Sequence, residues 1–202
     1  MQLTDCDLTL LSSRRIGFAM TGSFCTFSRI FPQISRLKEL GAELFPILSY
    51  NAYNLDTRFF PAEEVRSRLR SLCGKDVLHT LQEVEPIGPR HLLDLLIVAP
   101  CTGNTLGKLA AGIIDTPVTM AVKSQLRNSR PVLLAVSTND GLGASARSIG
   151  SLMTAREMYF VPYGQDDPDG KPASLVASME FIPEAAAAAL AGRQLPHLLS
   201  HT

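Results

Sequence analysis

The chain has 202 residues, 46% of them hydrophobic and 19% charged, with 19 Lys+Arg against 19 Asp+Glu. That length and apolar share suit one large α/β domain or two small ones around a substantial core. Zero net charge removes the electrostatic case for nucleic acid or an anionic membrane, and weak mutual repulsion favours self-association.

Residues 1–13 read as a lead-in segment, and residues 14–202 as a single domain without repeat or linker. Arg15–Met20, RIGFAM, predicts a first strand, followed by a turn at Thr21, Gly22 and Ser23. Phe24–Leu40 places Phe24, Phe27, Ile30, Phe31, Ile34, Leu37 and Leu40 on one helix face. Pro32 inside that pattern predicts a kink or a later start, and Gly41 closes the helix. Glu43–Ser49 predicts a second strand whose Pro46 favours an edge or a bulge. The first ~50 residues therefore form a βαβ unit with a right-handed crossover.

Asn51–Phe60 reads as a loop. Pro61–Leu72 reads as a helix, with Pro61 in the first turn and Glu63 and Glu64 favouring its N-terminal dipole. Asp76–Gln82 predicts a short helix capped by Asp76, and Glu83–Ile87 a small edge strand. Leu92–Ala99 is an apolar run broken only by Asp94, the pattern of a strand covered on both faces. Pro100 cannot donate to a ladder, so the strand is expected to stop there. Cys101–Thr105 makes a polar turn, with Asn104 or Thr105 a candidate cap. Leu106–Ala111 is helical, and Gly112 suits a left-handed end. Asp115, Thr116 and Pro117 start another helix, to Leu126. Val132–Ser137 is a buried strand, Gly141–Thr154 mostly helix, Met158–Val161 a last strand and Gly164–Lys171 a polar loop. Glu184–Ala191 is an Ala-rich helix expected to add little core.

A doubly wound, mostly parallel α/β sheet fits this order best. In such a sheet the strand ends at Gly22–Ser23, Ser49 and Thr102–Asn104 share one rim, where ligands bind. Their hydroxyls, one amide and free helix-start N–H groups suit a nucleotide-like phosphate ligand. Asn139 and Asp140 fall on the same rim, in a position to contact a ligand ring or only to form a turn. Gly141-Leu142-Gly143-Ala144-Ser145-Ala146 matches the G-x-G-x-x-[GA] dinucleotide pattern. It comes late in the chain, whereas the fingerprint belongs to the first βαβ unit. Asp166 and Asp167 form a candidate carboxylate pair or a solvated loop. Cys6, Cys25, Cys73 and Cys101 make no CxxC pair and share no ligand spacing with His79, His91, His197 or His201, so no metal site is expected. The amino terminus has acids where a signal peptide needs basic residues, so none is expected, and no apolar run approaches the ~20 residues of a membrane span. The chain reads as reduced and cytoplasmic.

Gly22-Ser23-Phe24 after a first strand, then Ala99-Pro100-Cys101-Thr102-Gly103-Asn104-Thr105 with Lys108 and Ala110, resembles the flavoprotein family that includes the homo-oligomeric flavin-containing cysteine decarboxylases. Their Pro-Ala-Ser-Ala-Asn-Thr segment aligns with Pro100–Thr105. The stretches SYNAYNLDTRF, GKDVLHTLQEVEPIGP, RPVLLAVSTNDGLG and YFVPYGQDDP extend the resemblance over nearly the whole chain beyond the lead-in. It implies a Rossmann-like, three-layer α/β/α fold binding FMN. Gly22, Ser23 and Ser49 would meet the phosphate and ribityl chain, Thr102, Asn104 and Thr105 would sit by the flavin, and Phe24 would also touch the cofactor. Asn104, Asn139 and Asp140 would surround its reactive ring. The Met and Trp that follow the decarboxylases' second-motif Asn are missing after Asn139, and Asn51–Glu64 lacks their His.

The activity implied by the nearest branch of the family is a share in forming dipicolinate from a dihydro- or hydroxytetrahydrodipicolinate in sporulation. NADP would sit on a dehydrogenase-like partner A chain, and this chain would be homo-oligomeric. A non-catalytic partner with a vestigial nucleotide cleft, or a flavin-dependent decarboxylase, stays open beside it. A dianionic substrate needs cations, for which Arg58, Lys123 and Arg127 are the candidates.

Overall fold

The computed structural model describes residues 7–199; residues 1–6, with Cys6, and residues 200–202, with His201, lie outside them. Leu8–Leu11 forms a 3-10 turn capped by Asp7 and buries Leu11. Strand β1 is Arg15–Met20. A 3-10 turn at Phe24–Thr26 precedes helix α1, Phe27–Glu39, so the helix starts later than its apolar face. Pro32 lies inside α1 and removes one helical N–H. Strand β2, Glu43–Leu48, pairs with β1 in parallel and takes the edge position expected of Pro46.

After β2 the chain departs from the sequence expectation four times. The segment read as a loop opens with helix α2, Tyr50–Asn54, because the Ser49 hydroxyl accepts the Ala52 N–H at 3.3 Å. Helix α3 is Ala62–Cys73, with Pro61 as its N-cap rather than inside its first turn and Gly74 left-handed at φ 67°. Asp76 caps nothing. Leu78 instead lies extended along β2, its N–H donating to the Pro46 carbonyl at 2.9 Å and its carbonyl accepting from Leu48 at 2.9 Å. Helix α4, Leu81–Val84, starts after Thr80 because Thr80 and Glu83 form a reciprocal capping box. The expected edge strand at Glu83–Ile87 is the end of α4 and a 3-10 turn around Pro86.

Strand β3, Leu95–Cys101, is buried throughout and runs through Pro100 rather than stopping there. Its register with β4, Val132–Thr138, shifts between Val98 and Cys101, and the Ala99–Pro100 peptide is cis. Thr21 fills the irregularity. Its N–H and hydroxyl both donate to the Pro100 carbonyl, at 3.2 and 2.7 Å, and its oxygen accepts the Thr102 N–H at 3.0 Å. Helix α5, Gly103–Ala110, is capped by Thr102, not by Asn104 or Thr105. Gly112 beyond it has φ 68°. Helix α6, Pro117–Leu126, starts at a Thr116–Thr119 capping box, and α7 is Ala144–Met153.

Strand β5, Met158–Phe160, is not the last. Strands β6, Tyr163–Gly164, and β7, Leu175–Ala177, follow as an antiparallel pair. The Ala-rich helix α8 is Ile182–Leu190, and its five alanines are buried rather than marginal to the core.

Among the described residues the sheet has seven strands in the order β2-β1-β3-β4-β7-β6. Strand β5 pairs with the start of β4 in parallel, and β7 with its last two residues. Helices α1 and α8 pack together against β3; α6, flanked by α4 and α5, also packs on β3 and β4. This is the doubly wound α/β sheet read from the sequence. Its winding reverses between β1 and β3, the switch point at which open α/β sheets bind ligands.

Asp94, the one break in the apolar run, ties together the other end of the sheet. Its carboxylate accepts the Arg15 N–H at 3.0 Å and meets the guanidiniums of Arg15 at 3.4 Å and Arg130 at 3.0 Å. Burial works to raise its pKa, but the Arg15 N–H and the two guanidiniums outweigh that and hold it below the usual carboxylate range. A lowered folded-state pKa contributes stability above the unfolded value of ~3.9, lost as pH falls through the folded value. Asp94→Asn is expected to cost about 1–3 kcal/mol at pH 7. The gap in melting temperature from the parent should then close as the pH falls from the unfolded value through the lower folded one. An unchanged gap in acid would overturn the assignment.

Candidate functional site

A cleft of about 1010 Å³ opens above the switch point. One wall is the turn after β1, carrying Gly22, Ser23 and Phe24; the floor is the start of α5, Gly103 and Asn104, with Thr102 before it. The far wall is the end of β4 and the turn into α7, with Ser137, Thr138, Asn139 and Asp140. The Ser23 and Ser137 hydroxyls meet at 2.7 Å, joining the ends of β1 and β4 across β3.

Seven of the predicted site residues therefore come together: Gly22, Ser23, Phe24, Thr102, Asn104, Asn139 and Asp140. Ser49 and Thr105 do not line the cleft. The Ser49 hydroxyl caps α2, and buried Thr105 lies 3.1 Å from the Thr102 hydroxyl. Both are hydroxyls near a helix start, where capping competes with ligand contact. The cation candidates also divide. Arg58 lines the cleft, whereas Lys123 and Arg127 lie at the far end of α6, with Arg127 against Gly88. Arg29 and Lys171 also line the cleft, with the hydroxyls of Ser137, Ser145, Ser148 and Ser174, and no sequence pattern marks any of them for this site.

Asp140 is held rather than free. The Thr138 hydroxyl bonds its carboxylate, and the Ser145 hydroxyl donates to it at 2.7 Å. These donors, Thr138 first, lower its pKa, so at neutral pH it is an anion and a poor proton donor. Gly103 presses into the same cluster: a Cβ there would stand 2.6 Å from the Ser145 and Thr138 hydroxyl oxygens and 2.9 Å from the Asp140 carboxylate. Asp166 and Asp167 do not act as a pair. Asp166 accepts the Ser174 hydroxyl at 2.6 Å on the cleft side, while Asp167 accepts the Gly170 N–H at 2.9 Å within its own turn. Cys101 is fully buried, and that burial pushes its thiol pKa far up; it is an inert packing residue. Gly141 of the dinucleotide-like pattern sits against Leu175, where a Cβ would be 2.6 Å from its side chain, so packing accounts for that glycine.

The family described as Flavoprotein matches residues 7–159. The chain belongs to the flavoprotein family. It is 41% identical over 192 residues to the B subunit of dipicolinate synthase from Bacillus subtilis (strain 168), covering 95% of this chain and 96% of that one. The crystal structure of the B subunit of dipicolinate synthase from Bacillus halodurans superposes with a TM-score of 0.87 at 39% identity, over 95% of this chain and 98% of that one. The FMN-dependent cysteine decarboxylase SpaF shares the fold, with a TM-score of 0.66 at 17% identity over 90% and 99% of the two chains. Among the described residues, no helix is long and apolar enough to cross a membrane.

The cleft's chemistry fits the cofactor class of this flavoprotein family. Its volume lies at the top of the ~300–1,000 Å³ range of small-molecule sites. Neutral hydroxyl and amide side chains make up much of the lining, the groups that a sugar-alcohol chain and a ring edge need. Thr102 N–H and Thr105 N–H are taken by side chains, but Gly103 and Asn104 open α5, where helix-start N–H groups are available to an anion. Phe24 and Phe59 supply aromatic surface on the β1–β2 side.

Proposed function

We propose that this chain is the FMN-binding B subunit of a dipicolinate synthase. It acts beside an A chain that carries NADP, on a cyclic dicarboxylate of the dihydro- or hydroxytetrahydrodipicolinate class, in sporulation. The similarity over nearly the full length of both chains supports the assignment. The observation that carries the cofactor reading is the convergence of three separate strand ends, at Ser23, Thr102–Asn104 and Ser137–Asp140, on one cleft. FMN, when bound, supplies redox chemistry at an isoalloxazine ring. The chain's own residues do the rest. Ser23, Ser137 and the start of α5 hold the phosphate and ribityl chain, and the Asn104 and Asn139 amides orient the ring edge. Asp140 fixes the β4–α7 turn through Thr138 and Ser145 and moves no proton at neutral pH. These roles make the chain part of an oxidoreductase. A homo-oligomeric assembly agrees with its zero net charge.

The purified chain incubated with FMN should show a perturbed, protein-bound flavin absorption band. Asn104→Asp, which adds a negative charge at the cleft floor, should weaken uptake at least roughly tenfold, or ~1.4 kcal/mol. Unchanged affinity in that variant would remove Asn104 from the site. Full synthase activity from the A chain alone at matched concentration would favour a non-catalytic partner with a vestigial cleft.

A further inference from the structure

We propose that Arg58 and Lys171 clamp the two carboxylates of a small planar dicarboxylate from opposite sides of the cleft. The proposal rests on the flavin reading of that cleft and assigns its second ligand. Three cations line the cleft, Arg29, Arg58 and Lys171, against two carboxylates, Asp140 and Asp166. The carboxylates are occupied: Asp140 by the Thr138 and Ser145 hydroxyls, Asp166 by Ser174 at 2.6 Å. Arg29 reaches Glu180 at 3.6 Å, a contact no tighter than that of Lys171 but one that draws it to a residue outside the cleft lining. Arg58 has no ion-pair partner among the described residues, and Lys171 has only a loose contact with Asp166 at 3.5 Å. The lining therefore keeps one guanidinium and most of one ammonium free for an incoming anion.

The placement of the two is built into the fold. Arg58 follows β2 at one side of the sheet, and Lys171 lies in the β6–β7 loop at the other. The β2 and β7 lines are four strand intervals apart, roughly 19 Å, and both side chains line the cleft that opens over the strand ends between them. Arg58 rides on a fixed turn. The Thr57 hydroxyl oxygen accepts the N–H groups of Phe59 and Phe60 at 3.3 and 3.2 Å, Asp56 accepts the Ala62 N–H at 2.8 Å, and the guanidinium lies over the Phe59 ring at 4.9 Å. A guanidinium stacked in this way loses little freedom on forming a bidentate carboxylate pair. Lys171, a point charge with three donors, takes the second carboxylate without a fixed angle. A monocarboxylate can engage only one of the two.

The test is calorimetric titration of the FMN-loaded full chain with pyridine-2,6-dicarboxylate and with pyridine-2-carboxylate, on the parent, Arg58→Gln, Lys171→Gln and Arg58→Lys. The parent should prefer the dicarboxylate by roughly tenfold or more, each Gln variant should lose most of that preference, and Arg58→Lys should restore part of it. FMN affinity, read separately by flavin fluorescence, should stay within about twofold, since neither cation is assigned to the phosphate. Dicarboxylate affinity unchanged in the Gln variants, or no dicarboxylate binding by the parent, would overturn the clamp. A fall in FMN affinity without a change in dicarboxylate preference would also overturn it and give the cations to the phosphate. Failure of the parent to take FMN would defeat the flavin reading instead, and the same titration on the flavin-free chain would still decide the clamp.

Discussion

Phe27→Ala is expected to destabilise the protein by about 3–5 kcal/mol, a fall in melting temperature of roughly 6–20 °C for a chain of this size. Phe27 is fully buried at the start of α1. Its ring centroid lies 5.3 Å from Phe24, 6.5 Å from Phe31 and 6.3 Å from Phe60, and Phe31 meets Phe60 edge-on at 5.7 Å. The Arg68 guanidinium covers Phe31 and Phe60 from outside at 5.3 and 5.4 Å. Truncation leaves a cavity that these rings cannot close without leaving their own contacts. The consequence reaches the cleft from two directions. Phe24 is one of its walls, and Phe60 anchors the turn that carries Arg58. Flavin uptake should weaken even at temperatures where the variant is folded. A melting temperature within a degree or two of the parent would show that the ring is not the buttress described.

The sheet was legible because strands covered on both faces leave an unbroken apolar signature. Ile16–Met20, Leu95–Ala99 and Val132–Val136 show it and are buried. Helix α1 was legible from its spacing and α6 from Thr116-Pro117. The errors share a physical origin, in that several local solutions exist for one group. Asp76 and Thr80 are both cap residues, and only the reciprocal bonds with Glu83 favour Thr80. Pro100 lacks a donor, which ends most strands; here Thr21, 79 positions away, supplies donors to its carbonyl and lets the strand continue. The alanines of α8 looked too small to build core. Small side chains instead let that helix lie close on the sheet, so that Ala186 is fully buried. The two- and three-residue strands β6 and β7 are too short for any period to register.

The site divides in the same way. Strand–turn–helix junctions announce a rim from sequence alone, and seven of the named residues meet there. What spacing cannot tell is how a rim hydroxyl is used. Ser49 and Thr105 serve helix starts, while Ser23 reaches Ser137, 114 positions on. Lys171 was invisible for another reason. It lies in a polar loop whose approach to the cleft depends on the antiparallel β6–β7 pair, and nothing local encodes that.

Gly103→Val is expected to abolish flavin uptake and to destabilise the fold by about 1–3 kcal/mol or more, as overpacking does. The glycine is needed for space rather than for backbone freedom, since α5 begins at this residue with helical geometry. Its missing Cβ leaves room for Thr138, Ser145 and Asp140 to close on one another, all within 2.9 Å of where the carbon would stand. Those three groups are bonded internally, so none can retreat without unpairing the Asp140 carboxylate. The added side chain therefore pushes the start of α5 off the β4–α7 turn and widens the cleft where its floor meets its far wall. Alanine at the same position should show a smaller version of both effects. Gly150→Ala in α7 is the control: no atom lies within 4 Å of a Cβ there, and a helix-interior glycine replaced by alanine should gain roughly 0.5–1 kcal/mol. Thermal melts and flavin fluorescence titrations on the three variants decide the matter. Gly103→Val with parental stability and parental FMN affinity would mean that α5 does not pack on this turn in solution.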